Sequence, residues 1–246
     1  MATAPRELDR PAFYALSSGG WRDLVTILHP PYTLWHLSYV ALGAAAATTI
    51  HADRLLAALA AFFLAVGISA HALDELRGRP LNTKLSRTAL IVLAAAGLAG
   101  AVAIGVVGIV VVSPLLIPLV LVGAFIVPAY NLELWGGRFH NDAWFALAWG
   151  GFPAFTGYFV NALAIRPAGI LVAAACCMLS AAQRRLSTPA RELRRRTASV
   201  QGQQRLNDGR VIQLTKQRLA DPLEGALSAL WLALVLMAIG LVAVRV

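Results

Sequence analysis

Charge is scarce in this sequence. Asp, Glu, Lys and Arg make up 13% of its 246 residues, about half the ~25% usual in a soluble domain. That shortage excludes a water-soluble globule, whose surface must be clothed largely in polar groups. Cysteine is rarer still, with two residues adjacent at 176 and 177, so a disulfide framework and a cysteine-based zinc site are excluded as well. Both cysteines lie in an apolar run and read as small packing groups. Five histidines are too few for a histidine-rich di-iron centre, and a lone His36 inside an apolar run does not make a haem site.

What the chain has in excess is apolar surface, 59% of residues with a mean hydropathy of +0.68. A hydrocarbon slab about 30 Å thick needs about 20 apolar residues per crossing helix. Seven stretches qualify or nearly so, near 32–50, 55–73, 88–112, 114–130, 143–165, 167–182 and 222–244. Glu224, at the mouth of the last, is the one charged residue within them. The runs are continuous rather than alternating, which excludes a transmembrane barrel, and backbone amides in lipid must bond within their own segment. The expected fold is all-α: a polytopic bundle of about seven spans forming a single transmembrane domain over 32–246. Spans three and four are divided only by Ser113-Pro114.

Alternate connections carry 18 Lys and Arg on one side and 3 on the other. By the positive-inside rule the N-terminus is cytoplasmic and the C-terminus outside a cell (inner) membrane. The net charge of +9 follows mostly from this bias and implies no nucleic-acid partner. Residues 1–31 read as a cytoplasmic segment without a cleavable leader. Within it, Trp21, Leu24, Val25 and Leu28 share one face of a short interfacial helix over 20–29, ended by Pro30-Pro31.

This threading brings the loops 74–87, 131–142 and 183–221 to one face. In the first, a helix continued to Leu76 sets His71 beside Asp74 and Glu75 at i+3 and i+4. These groups suit acid–base work or a divalent cation, with Asp74 and Glu75 as metal ligands and Arg77, Arg79 and Lys84 facing an anion such as diphosphate. Equally, the two carboxylates would neutralise a basic turn. The second loop runs from Tyr130-Asn131 through Glu133, Trp135 and Arg138 to Asn141-Asp142. Its aromatics suit a headgroup belt or the wall of an isoprenoid site. The third opens on Arg184-Arg185 and carries 10 basic residues against 3 acidic. It attracts anionic lipid headgroups or acts as an arginine lid on a phosphorylated substrate.

In their order these motifs resemble the UbiA superfamily of intramembrane prenyltransferases. The resemblance rests on the entry "WRDLVTILHPPYTLW", on the polar end of the second span followed by "RGRPL", and on "AYNLELWGGRFHND" leading into "WGGFPAFTGYF". It implies Mg²⁺ and a prenyl diphosphate held between two aspartate-rich motifs. The chain departs from that pattern. With Asp74 on the family's second aspartate, His71 takes the first position and Gly78 the third, while Gln183, Arg184 and Arg185 stand where the second motif belongs. The family also usually has nine spans.

Two functions follow. One is a transferase of an isoprenoid or other lipid-phosphate-linked group, with His71, Asp74 and Glu75 as catalytic groups. Arg77, Arg79, Lys84, Tyr130, Asn131, Arg138, Asn141, Arg184 and Arg185 would bind its substrate. The other is a catalytically lapsed relative that binds a lipid or pigment, or serves a membrane protein partner as a subunit. A transporter ranks third, because no inverted repeat or intramembrane charge is evident.

Overall fold

The apolar runs form helices whose ends are set by prolines and capping side chains. The structure, a computed structural model, describes residues 10–245. Helix α1 (Trp21–Ile27) exposes Trp21 and Leu24 and buries Asp23, Thr26 and Ile27. Pro30 and Pro31 open α2 (Pro30–Ala45), since proline is preorganised for the first helical turn. Next come α3 (Ala52–Leu76), α4 (Arg87–Val111) and α5 (Pro114–Asn131). The oxygens of Ser86 and Ser113 accept from Ala89 N–H and Leu115 N–H, so α4 and α5 are separate helices with their own caps. Helix α6 covers 142–162 and starts at an Asn141 cap. Helices α7 (Pro167–Arg195) and α8 (Lys216–Ala243) complete the bundle.

Helices α3, α4, α5, α7 and α8 are long and apolar enough to cross a membrane. Valines 106, 107, 110 and 111 of α4, with Leu236 and Ile239 of α8, point outward, the pattern of a face solvated by lipid. The shorter α2 is the buried member. Trp35, Tyr39 and Val40 are fully covered, and α2 packs on both α6 and α8.

Glycine makes the α2–α6 contact. A Cβ on Gly43 would sit 1.9 Å from the Ala154 carbonyl oxygen, and one on Gly157 would sit 2.0 Å from that of Val40. The two backbones therefore touch, the small-residue packing that membrane helices use when no solvent drives them together. Helices α3 and α6 each carry a π-helical stretch, Phe63–Ala70 and Leu147–Gly151. Such stretches interrupt the regular ladder and are frequent at functional sites.

One sequence expectation needs correcting. The basic segment 183–221 is not a single loop. Helix α7 runs through Pro189 to Arg195, because Gln183, Ser187 and Ala190 form a buried stripe at helical spacing. The fold is an all-α bundle as expected, with one small addition: strands β1 (Gln203–Arg205) and β2 (Val211–Gln213) pair as an antiparallel hairpin outside it.

Gly157→Ala is expected to push α2 and α6 apart and cost about 1–3 kcal/mol. Gly240→Ala, with open space around it, should be neutral. Thermal unfolding of the two variants in detergent checks this.

Candidate ligand cavity

The α2, α6 and α8 N-termini and the α3, α5 and α7 C-termini meet at one end of the bundle. Between them lies a cavity of about 480 Å³. The first two loops line it at 74–80 and 131–140, together with the C-terminal end of α7 at 183–196 and the N-terminal segment at 11–14.

Helix α7 supplies the cations. Arg184, Arg191 and Arg195 fall at i, i+7 and i+11, on one helical face, and all line the cavity. The Arg184 Nε donates to Asp142 Oδ1 at 3.0 Å, and its guanidinium lies 5.2 Å over the Phe145 ring. Arg195 Nε donates to the Pro11 carbonyl at 3.0 Å, which ties the N-terminal segment across the opening. Arg194 and Glu224 form a buried ion pair joining α7 to α8. Arg77 bridges to the second loop, donating to the Leu132 carbonyl at 2.7 Å and to Glu133 Oε2 at 2.8 Å.

Of the site residues expected from sequence, His71, Asp74, Arg77, Tyr130, Asn131 and Arg184 line this cavity. The others are placed elsewhere. Glu75 is fully buried and turned into the following loop, where its oxygens accept from Leu81 N–H, Thr83 N–H and Thr83 Oγ1 at 2.9–3.0 Å. Its neighbour Arg79 donates to the Thr83 and Leu85 carbonyls, and Lys84 N–H donates to Asp23, so both residues brace the loop. Asn141 is the α6 cap. Arg138 and Arg185 are not among the lining residues. The half-buried Asp74 lines the same cavity as Arg191 and Arg195, whose positive charge acts on it. Among the described residues no three His, Cys, Asp or Glu side chains gather as a metal site. One carboxylate committed to a loop and another facing guanidinium groups do not fit a carboxylate-clamped Mg²⁺.

The sequence reading missed Tyr14, His29, Tyr32, Arg191 and Arg195. His29 stacks on His71 with ring centroids 4.1 Å apart, and its Nδ1 shares a 2.7 Å hydrogen bond with the Tyr14 hydroxyl. Burial, then the adjacent His71, pushes His29 well below the usual imidazole range. Burial likewise raises Tyr14. The helical spacing of Arg184, Arg191 and Arg195 was the available signal for the arginines; Pro189 concealed it.

A second, apolar cavity lies deeper, between α3, α4, α5 and α6, with the small residues Ala61, Ala65, Ala101 and Ala124 in its lining. Val66 and Trp149 line both cavities, so the two adjoin. Each of these residues sits in one of the π-helical stretches.

Glu75→Ala would leave two buried N–H groups unpaired, a loss of about 2–4 kcal/mol, readable by thermal unfolding and by proteolysis of the loop at 77–86. His29 predicts a pH dependence. The unfolded chain takes up its imidazole proton near pH 6.5, whereas the folded chain resists until lower pH. Stability should therefore be full well above that value and fall steadily as pH drops through it and below, with His29→Gln flattening the slope. No family-level sequence pattern, no curated protein and no solved structure matches this chain.

Proposed function

We propose that this chain is an integral membrane protein of about seven spans, with its N-terminus cytoplasmic, that binds a phosphorylated isoprenoid lipid and transfers its hydrocarbon group. The reading keeps the resemblance to UbiA prenyltransferases and counts α2 and α6, first and fifth in chain order, as spans beside the five long apolar helices. The observation that carries it is that an arginine-lined polar cavity and an apolar one lie next to each other, sharing Val66 and Trp149 in their linings. Only an amphiphile suits both halves. From Val66 to Arg54, the apolar lining of α3 covers about 18 Å at 1.5 Å per residue, room for a chain of several isoprene units.

In this reading arginines meet the phosphate charge. Guanidinium groups bind phosphate oxygens in bidentate geometry and stabilise the negative charge that develops as the carbon–oxygen bond breaks. Arg184, Arg191 and Arg195 occupy the headgroup end, with Arg77 on the opposite wall. Arg205 and Arg218 lie outside the cavity, available to anionic lipid headgroups. The turning away of Glu75 favours a second reading, a relative that keeps the binding and has lost the transfer.

Binding of farnesyl diphosphate to the full chain in nanodiscs tests the proposal. Arg191→Ala should weaken it about 10–100-fold, the worth of one charged hydrogen bond. Ala61→Phe should fill the apolar cavity, weakening farnesyl diphosphate while leaving inorganic diphosphate unaffected. Equal affinity for diphosphate with and without the hydrocarbon chain would rule the amphiphile out, and binding without product would select the lapsed relative.

A further inference from the structure

Among the described residues, two buried polar atoms of the headgroup cavity have no hydrogen-bond partner, and a third polar group of its lining carries a lone pair. The Tyr130 hydroxyl and the Gln183 Oε1 are buried without a hydrogen bond, on side chains that are 4% and 3% exposed and line the cavity. The third is the imidazole of His71. Its Nδ1 faces the Gly67 carbonyl at 3.2 Å. A carbonyl only accepts, so Nδ1 carries the hydrogen and Nε2 of the neutral ring holds a lone pair. The Gln183 oxygen and the His71 lone pair are acceptors, of no use to a phosphate, which wants donors and positive charge.

We propose that His71 is the proton acceptor for a second, hydroxyl-bearing substrate, which the Tyr130 hydroxyl and the Gln183 amide hold beside the phosphorylated lipid. The inference rests on the amphiphile reading above. The substrate's O–H proton passes to His71 Nε2 as its oxygen bonds to the first carbon of the lipid. The bond from that carbon to the phosphate oxygen breaks, and its electron pair leaves with the phosphate among Arg184, Arg191 and Arg195. The His29 ring, parallel to His71 within 15°, matters because two cationic imidazoles at that separation repel. A buried, neutral His29 leaves His71 able to take the charge, and the Tyr14 hydrogen bond fixes its ring. His29 and Tyr14 are thus positioning residues.

The test uses the full chain in nanodiscs with farnesyl diphosphate, water serving as the hydroxyl donor, and follows release of farnesol and diphosphate. His71→Gln keeps a polar side chain without a base. Its turnover should fall about 100-fold or more, the usual worth of a general base, with farnesyl diphosphate affinity unchanged within about 3-fold. Nitrogen-15 NMR of histidine-labelled protein should find His71 protonated at Nδ1 and bare at Nε2. Wild-type turnover in His71→Gln, hydrogen on Nε2, or binding by the wild type without turnover would each overturn the proposal. Absence of farnesyl diphosphate binding by the wild type would instead overturn the amphiphile reading, and this inference with it.

Discussion

A guanidinium group at the edge of a hydrocarbon layer has to be matched by an acceptor, and much of the polar end of this protein follows from that constraint. Arg194 takes Glu224 of the next helix, Arg184 takes Asp142 at the start of α6, and Arg77 takes Glu133 and a loop carbonyl. Each of these pairs joins two segments far apart in the chain. The loops are thereby drawn over the helix ends, and the space they enclose has cationic walls. Arg195 extends the pattern to the N-terminal segment by taking its Pro11 carbonyl.

The apolar half of the molecule obeys a different rule. Lipid offers no hydrophobic drive for helices to associate, so they hold together where their surfaces fit closely. At the α2–α6 contact, Gly43 and Gly157 let the backbones meet. Along the neighbouring α3–α5 walls, small residues line the apolar cavity instead. Small residues thus stand at a closed seam and along an open one, depending on what the opposing helix presents. Interrupting α3 and α6 with π-helical stretches places Val66 and Trp149 where the open seam meets the charged cavity.

Acidic residues divide by what their backbone surroundings demand. Asp74 and Glu75 are sequence neighbours, yet a helix turns them about 100° apart. One therefore faces the cavity. The other meets the unpaired N–H groups of Leu81 and Thr83, left over where α3 ends. That loop needs a buried acceptor, and Glu75 supplies it.

Helix positions were legible in the sequence because continuous apolar runs in lipid have only one way to satisfy their backbone. The runs near 88–112 and 114–130 became α4 and α5 almost to the residue. The shared polar face followed from helix order alone. His71, Asp74 and Arg184 were found because they are ionisable groups next to such runs. Sequence could not assign the direction of Glu75, since adjacent carboxylates look alike until a loop chooses between them. Nor could it extend α7 past Pro189, because the missing N–H is tolerated only when buried neighbours hold the helix on both sides. The stacking of His29 on His71 and the arrival of Tyr14 join residues from three separate segments. Composition and spacing decide which segments are helical and which polar ends gather at the same end of the bundle. Which polar atoms are used up within the protein, and which face an open cavity, depends on contacts between distant segments and is decided only when the bundle closes.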